Sequence, residues 1–345
     1  MSIKPISRIL IVSLGSAGSR HLRLARMQFP KAVIKILRHN ETNLIPEFSD
    51  GCLFNTEEAV NFAPQIAVIA SPSSHHVKIA QELAQMGVHM LVEKPLSNSL
   101  EGVLRLIETS KKTNSLLMAG YNLRFSTSLR YFHDQLADEI IGNVLSFRCE
   151  VGQYLPTWRP EMDYRKGVSA SKALGGGALL ELSHELDYLR WIFGEVDWVR
   201  ATLAQQSSLV LDVEDSAHLT LGFLPNENGR QLIGILNLDF IRHDKTRECI
   251  AIGEKGSLRW DGITGEVSLF NEGDVCWERI FTDKSQNDDS YLAEWQDFIN
   301  CINTESSPLV SGEDGLRILE IIESARISSV TGVQESISYS HPGNM

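Results

Sequence analysis

The chain has 345 residues, which predicts about two domains, and its 43% hydrophobic and 22% charged content is typical of a folded globular protein. A formal net charge of −12 argues against a general nucleic-acid-binding surface or an anionic-membrane surface. Five scattered cysteines without a CxxC pair argue against a disulfide framework or a metal site, and the N-terminus lacks a signal-peptide pattern, so we expect a cytoplasmic protein.

The first third of the chain alternates short apolar strands with helical patterns. Strands are predicted at 8–14, 32–37, 66–70, 88–92 and 116–119, and helices at 17–28, 76–86 and 100–109. This repetition predicts right-handed βαβ units in a doubly wound parallel sheet. We therefore predict a Rossmann domain over residues 1–123.

The pattern changes beyond residue 124. Strands are predicted at 144–151, 217–223, 231–239, 248–252 and 257–260, and helices at 128–136, 178–191, 291–302 and 315–328. The later strands alternate apolar and polar residues, which is typical of an antiparallel sheet with one covered face. Residues 124–345 are therefore predicted to form an α+β domain with a large, mostly antiparallel open sheet.

A glycine turn, Ser13-Leu-Gly15-Ser16-Ala17-Gly18, follows the first strand and opens a helix. In this context Gly15 would let the backbone approach a pyrophosphate, and Gly18 would let the helix pack closely on the strand. Ser13 occupies the position where the dinucleotide fingerprint has its first glycine. The turn therefore predicts a phosphate site, although the incomplete pattern also fits an ordinary βα turn.

Arg38 ends the second predicted strand, where an NAD enzyme usually has an acidic residue for the ribose hydroxyls. Arg38 could hold a 2′-phosphate, stack on adenine or lie in solvent. The expected cofactor is therefore NAD or NADP.

Several segments carry a resemblance to a known family. They are Ser71-Pro-Ser-Ser-His-His76, Glu93-Lys-Pro-Leu96 at a strand end, Gly120-Tyr-Asn-Leu-Arg-Phe125, Gly175-Gly-Gly-Ala-Leu-Leu-Glu-Leu-Ser-His-Glu-Leu-Asp-Tyr188, and Gly253-Glu-Lys-Gly-Ser-Leu-Arg-Trp-Asp261. Together they closely resemble the glucose–fructose oxidoreductase and inositol dehydrogenase family (Gfo/Idh/MocA) over nearly the whole chain.

This resemblance implies an NAD(P)-dependent oxidoreductase that interconverts a secondary alcohol and a ketone of a sugar, polyol or nucleotide sugar. It also implies a homodimer or homotetramer. The turn and the resemblance together predict a set of cofactor-binding residues: Ser13, Gly15, Ser16, Ala17, Gly18, Arg38, Ser71, Pro72, His76, Glu93, Lys94 and Asn122.

Removal of a hydride from an alcohol requires a base within hydrogen-bond reach of the hydroxyl. The resemblance assigns contact with this hydroxyl to Lys94, which follows a buried strand at the edge where such sheets bind ligands. His184 would relay the proton or hold the reacting oxygen. Many members have Asp four residues before this histidine, whereas this chain has Leu180 there and Glu181 one residue later. Glu181 would share a helix face with His184 and replace that Asp, and Asp187 is the alternative partner.

A loop rich in aromatic and basic residues precedes the glycines at 175–177. Such loops suit sugars and phosphate groups, although a packed surface loop is equally consistent with any one residue. Arg242 is an additional candidate, whereas Arg20, His21 and His75 are predicted bystanders. The predicted substrate-binding residues are Lys94, Arg124, Tyr154, Trp158, Arg159, Tyr164, Arg165, His184 and Asp187.

Two other functions remain compatible with the sequence. One is reduction of a carbonyl or imine by NADPH on the same scaffold. The other is a cofactor-binding regulator or scaffold protein that has lost catalysis. Ser13 and Leu180, which depart from the family pattern, support this alternative.

Overall fold

The computed structural model describes residues 6–38, 44–285 and 288–340, and the chain divides into two compact units. The first comprises the chain through Tyr121 together with Leu292–Leu319, and the second comprises Asn122–Tyr291 and Glu320–Tyr339. The predicted single boundary after residue 123 differs from this division in the C-terminal helices. Residues Leu292–Leu319 return to the first unit, where Val310 accepts a hydrogen bond from the Ala119 backbone N–H at 3.1 Å.

The strands of the first unit form a parallel sheet. Within the described ranges they are β1 (Arg8–Val12), β2 (Val33–Leu37), β3 (Cys52–Leu53), β4 (Ile66–Ile69), β5 (His89–Glu93) and β6 (Leu117–Gly120), in the order β3-β2-β1-β4-β5-β6. The helices are α1 (Ser16–Gln28), α2 (Thr56–Phe62), α3 (His76–Gln85) and α4 (Val103–Lys112).

The apolar strands explain this arrangement. Ile9, Leu10 and Ile11 are consecutive in β1 and all are fully buried, so the sheet is covered on both faces. This strand order and burial confirm the predicted doubly wound Rossmann sheet.

The second unit contains a larger mixed sheet. Of the described residues, its strands are β7 (Val144–Gly152), β8 (Val196–Ala204), β9 (Ser216–Phe223), β10 (Ile233–Asp239), β11 (Thr246–Gly253), β12 (Gly256–Asp261), β13 (Glu266–Asn271), β14 (Glu278–Thr282) and β15 (Glu335–Ser336). Their order is β14-β13-β12-β11-β7-β10-β9-β8-β15, and only the β7–β10 pair among them is parallel. The predicted mostly antiparallel sheet is therefore confirmed.

The two faces of this sheet differ in exposure. Phe147 and Leu236 are fully buried, whereas Ile233 and Ile235 on β10 are 43% and 38% exposed. The remaining helices are α5 (Thr127–Ala137), α6 (Ala178–Glu181), α7 (His184–Phe193), α8 (Asp289–Thr304) and α9 (Gly312–Thr331). None of the helices in the described part of the chain is long and apolar enough to cross a membrane.

The predicted helix over 178–191 is wrong in one respect, because the structure divides it into α6 and α7. Leu182 has φ −101° and ψ 26°, outside helical geometry. Asp187 N–H instead donates to Ser183, and α7 begins a new set of hydrogen bonds. No glycine or proline marks this break in the sequence.

Candidate active site

The glycine turn between β1 and α1 is tightly constrained. Ser13 adopts a positive φ of 74°, the conformation for which glycine is usually required, and its N–H donates to Leu37 at 2.9 Å. Ser13 therefore makes the tight turn that the fingerprint assigns to its first glycine. The departure in residue type leaves the backbone geometry of the turn intact.

The two glycines of the turn have different surroundings. A Cβ on Gly18 would lie 2.2 Å from the Ser13 carbonyl oxygen, so only glycine fits against that backbone. A Cβ on Gly15 would meet no described atom within 4 Å. Gly15 also precedes α1, whose N-terminus has no side-chain cap among the described residues. The open backbone at Gly15, Ser16 and Ala17 thus fits a phosphate group of a dinucleotide.

Arg38 follows β2 directly and is half-buried. Its N–H donates to the Leu53 carbonyl at 2.9 Å, which ties its backbone to β3. Residues 39–43 lie outside the described residues. Arg38 is thus placed at the carboxyl edge of the parallel sheet, where a 2′-phosphate or adenine ring would bind.

His76 connects two of the motif segments. Its Nε2 lies 2.6 Å from the Ser71 carbonyl oxygen and its Nδ1 lies 3.1 Å from the Pro95 carbonyl oxygen. Burial lowers the pKa of His76 and outweighs these contacts, which favour the cation. The neutral ring must still donate to one carbonyl, so it links the Ser71-Pro72 turn to the turn that carries Lys94.

Glu93 ends β5 beside Lys94 and is the centre of a buried cluster. His21 Nε2 lies 2.8 Å from Glu93 Oε1, and the Lys94 N–H donates to Glu93 Oε2 at 3.2 Å. Burial by itself would raise the pKa of Glu93, but the hydrogen bond to His21 and the charge of Lys94 leave it below its usual value. Glu93 is therefore a carboxylate, and the ring of His21, predicted as a bystander, contacts it.

A second buried carboxyl, Glu294, lies near this cluster. Its side chain is fully buried, and neither of its oxygens has a hydrogen-bond partner among the described residues. Burial, together with the neighbouring Glu93 and Asp297, raises the pKa of Glu294 well above its usual value. The neutral carboxylic acid is the stable form in the folded chain.

This raised pKa makes stability depend on pH. The unfolded chain releases the Glu294 proton near pH 4.5, whereas the folded chain holds it, so wild-type stability falls as the pH rises above that value. We expect Glu294→Gln to unfold at a higher temperature than wild type at pH 8, with the difference closing toward pH 4. The slope reaches at most about 1.4 kcal/mol per pH unit. Thermal unfolding across this range measures the effect, with substitution of the exposed Glu101 by Gln as control. Parallel curves for wild type and Glu294→Gln would contradict the prediction.

In the second unit, two predicted site residues pair with each other. Arg124 donates to both carboxylate oxygens of Asp187, at 2.9 and 2.7 Å, and both side chains are almost completely buried. This bidentate pair connects the turn at Asn122–Phe125 to α7. Asn122 itself donates to the Ser290 hydroxyl at 2.8 Å. The contacts of Arg124 and Asp187 favour a positioning role for both over direct substrate contact.

Glu181 and His184 lie on either side of the helix break. Glu181 is the last residue of α6 and His184 the first of α7, so the argument that three-residue spacing places them on one helix face does not hold. Glu181 accepts a hydrogen bond from the Ser169 hydroxyl at 2.9 Å. Both Glu181 and His184 are half-buried.

The aromatic and basic loop encloses a small cavity. Trp158, Arg159 and Tyr164 line it together with Ser169, the hydroxyl partner of Glu181. The cavity thus extends from the predicted substrate loop to the hydroxyl that Glu181 holds. Three of the five loop candidates share this cavity.

The other candidates are engaged elsewhere. Arg165 forms an exposed pair with Asp163, and Tyr154 lies against His243 with ring centroids 4.3 Å apart. Arg242 binds Glu150 and Asp244, at 2.9 and 3.0 Å, and both carboxylates raise its pKa.

Comparison with known proteins identifies the family to which this chain belongs. Residues 7–121 match a family described as an oxidoreductase family with an NAD-binding Rossmann fold, and residues 133–335 match its C-terminal alpha/beta domain. The chain belongs to the Gfo/Idh/MocA family. The predicted resemblance is therefore confirmed.

Similar members of the Gfo/Idh/MocA family include sugar and nucleotide-sugar dehydrogenases. A levoglucosan dehydrogenase from Pseudarthrobacter phenanthrenivorans is 30% identical over 142 residues, which cover 39% of this chain and only 35% of that protein. A structure of levoglucosan dehydrogenase with NADH and levoglucosan has a TM-score of 0.83 at 20% identity, covering 97% of this chain and 100% of that one. The WlbA dehydrogenase from Bordetella pertussis, with NADH and UDP-GlcNAcA, has a TM-score of 0.79 at 19% identity, covering 97% and 100%. These structures share the fold of this chain.

This Gfo/Idh/MocA chain also has a carboxyl group at the glycine-rich turn that sequence analysis missed. Glu214 accepts a hydrogen bond from the Leu179 N–H at 3.0 Å, and a Cβ on Gly177 would lie 2.4 Å from the same carboxylate oxygen. Burial raises the pKa of Glu214. Glu214 thus holds the start of α6, and its separation from the turn in sequence gave no local signal of this contact.

Proposed function

We propose that this protein is an NAD(P)-dependent dehydrogenase or reductase that transfers a hydride between nicotinamide and a secondary alcohol or ketone of a sugar, polyol or nucleotide sugar. Two features of the first unit carry this proposal. The backbone at Gly15 has open space for a phosphate group, and the turn that carries Lys94 is held by hydrogen bonds to His76 and Glu93. The family membership supports it, as do the NADH and sugar ligands of the similar structures.

A bound NAD(H) or NADP(H) would supply the hydride acceptor or donor. The open backbone of Gly15, Ser16 and Ala17 would hold the pyrophosphate, and Arg38 would face the adenosine ribose. Ser13, Gly18, Ser71, Pro72, His76 and Glu93 would shape the cofactor site, with Lys94 and Asn122 as additional contacts.

Lys94 and His184 would handle the substrate proton. Lys94 is half-buried, and its turn is fixed by Glu93 and His76, so its side-chain amino group would be held at a defined place, where its neutral form would accept the proton. A positioned group that accepts the hydroxyl proton lowers the barrier to hydride removal. His184 would hold the reacting oxygen, and Glu181 would contribute through the loop hydroxyl of Ser169.

Substrate selection would fall to the cavity lined by Trp158, Arg159 and Tyr164. Arg159 is exposed on this cavity, and a guanidinium binds phosphate or carboxylate groups well. Trp158 and Tyr164 offer flat surfaces for a sugar ring. This combination favours an anionic sugar derivative over a neutral polyol.

A substrate panel tests the proposed function. The panel consists of neutral sugars, inositols, sugar phosphates, uronic acids and nucleotide sugars, each tested with NAD+ and with NADP+. Turnover is followed by the absorbance of the reduced nicotinamide at about 340 nm. We expect turnover with one anionic class and its loss in Arg159→Ala, whereas the exposed Lys172→Ala should behave as wild type. Binding of neither dinucleotide would rule out the proposal.

The choice between NAD and NADP should depend on Arg38. If Arg38 holds the 2′-phosphate, Arg38→Ala should weaken NADP(H) binding about 10-fold or more, the loss of one charge-assisted hydrogen bond, and leave NAD(H) nearly unaffected. Isothermal titration calorimetry with both cofactors measures this difference. A strong NAD preference that Arg38→Ala does not alter would remove the case for NADP.

We also propose a homodimer or homotetramer formed through the exposed face of the nine-strand sheet in the described chain. Ile233 and Ile235 lie on this face at the interior strand β10, next to the central strand β7, and exposed apolar side chains at such a position are typical of a covered interface. Five free thiols also support the proposal of a cytoplasmic location.

The oligomer prediction is tested by placing a charge on this face. Ile235→Asp should shift the protein toward monomer in light scattering at micromolar concentration, because an unpaired buried charge is costly. Val275→Asp is the control, since Val275 is 96% exposed and lies outside the strands. A monomeric wild-type protein would contradict the prediction.

A further inference from the structure

A series of hydrogen bonds within the first unit runs from α8 to the backbone of Lys94. The Trp295 indole N–H donates to His21 Nδ1 at 3.0 Å. The opposite ring nitrogen of His21 lies 2.8 Å from Glu93 Oε1, and the other Glu93 oxygen accepts the Lys94 N–H. Trp295 and His21 are both fully buried.

The chemistry of these groups determines which nitrogen of His21 carries the proton. An indole N–H can only donate, so His21 Nδ1 must present its lone pair. A neutral imidazole then carries its single proton on Nε2, which faces the Glu93 carboxylate. Trp295 therefore selects the neutral tautomer that donates to Glu93.

We propose that Trp295, acting through His21 and Glu93, is a positioning residue for Lys94. This inference rests on the proposed function, in which Lys94 handles the substrate proton. The selected tautomer keeps one oxygen of Glu93 hydrogen-bonded and leaves the other to hold the Lys94 N–H. A residue of the C-terminal part of the chain thus orients the catalytic turn of the N-terminal part.

Other ionisable groups also face Glu93. They are His76 from α3, Lys94 on the same turn and Glu294 from α8. His76 is buried with its pKa lowered, and Glu294 is buried with its pKa raised, so burial favours the neutral form of both side chains.

Trp295→Phe tests the proposal because it keeps an aromatic ring and removes the N–H. Trp260→Phe is the matched control: Trp260 is equally buried, and its indole N–H donates to the Ser128 hydroxyl at 3.1 Å in the second unit. Nitrogen-15 NMR of the cofactor-free protein should show His21 as the Nε2-protonated neutral form in wild type and in Trp260→Phe. In Trp295→Phe we expect Nδ1 to become protonated in part, and the Lys94 amide to exchange faster with solvent.

Kinetics provide a second measurement. We expect kcat of Trp295→Phe to fall about 10- to 100-fold, the cost of a misplaced reacting group, with unchanged dinucleotide affinity. His21→Gln, which keeps one donor and one acceptor, should retain more activity than His21→Leu.

Two results would overturn the proposal. One is a Trp295→Phe protein with the wild-type His21 tautomer and wild-type exchange at Lys94. The other is a Trp260→Phe protein that loses as much kcat as Trp295→Phe. If the wild-type protein turns over no member of the substrate panel, the proposed function fails, and the tautomer and amide exchange still decide whether Trp295 positions Lys94.

Discussion

Lys94→Met should lose about 10²- to 10⁴-fold in kcat on a true substrate while it still binds dinucleotide. The substitution keeps most of the aliphatic stem and removes the ammonium group, so it tests proton transfer rather than packing. General acid–base catalysis contributes a factor of this size. Steady-state kinetics and a fluorescence titration with NADH measure the two properties separately.

The controls for this experiment come from the same chain. Lys112→Met alters an exposed lysine in the last turn of α4 and should leave kcat unchanged. If Lys94 and His184 act on one proton, the Lys94→Met/His184→Ala double variant should lose far less than the product of the single losses, because residues that act as a unit are not additive.

Glu181→Gln addresses the role of the carboxylate at the helix break. A clear fall in kcat would support a catalytic contribution from Glu181, whereas a wild-type rate would indicate that its bond to Ser169 is structural. Near-normal turnover in Lys94→Met would show that the proposed mechanism is wrong even though the fold and family are established.

Gly18→Ala should lower the stability of the fold, whereas Gly15→Ala should weaken dinucleotide binding. The methyl group at Gly18 would lie 2.2 Å from the Ser13 carbonyl oxygen, so the turn must shift, at a cost of about 1–3 kcal/mol in the free energy of unfolding. The methyl group at Gly15 meets no described atom within 4 Å, and Gly15 has φ −69°, which any residue can adopt. Gly15→Ala should therefore fold as stably as wild type but bind dinucleotide at least about 10-fold more weakly, because the methyl group occupies the space for the pyrophosphate.

Thermal unfolding and NADH titration of both variants measure this contrast, and each variant is the control for the other. The prediction fails if Gly15→Ala binds NADH normally, since the turn would then not hold phosphate. It also fails if Gly18→Ala unfolds at the wild-type temperature.

Local patterns in the sequence predicted most of the fold of the first unit. The runs of buried aliphatic residues, the glycine turn and the alternation of strands with helices all act over short distances, so their structure follows from residue order. The same holds for the alternating strands β9, β10, β11 and β12 of the second unit. Strands β3, β8, β13, β14 and β15 and helix α2 were not predicted.

The candidate site depended on contacts that residue order does not reveal. The split of the predicted helix into α6 and α7 has no glycine or proline to signal it, and it separates Glu181 from His184. Arg124 and Asp187, both predicted to contact substrate, form a buried ion pair across 63 positions of the chain. Once charges are buried, they must be paired, and only the folded structure shows which partners meet.

The sequence by itself determined the family, the parallel dinucleotide-binding sheet and the position of Lys94 at a strand end, because hydrophobic periodicity and glycine turns are local properties. Only the tertiary structure decided that Ser13 adopts the conformation of the missing glycine and that His21, predicted as a bystander, contacts Glu93. It also decided that Trp295, 274 positions from His21, selects the tautomer of that ring. Hydrogen bonds between buried groups depend on distance and direction in space, and the folded chain alone brings together donors and acceptors so far apart in sequence.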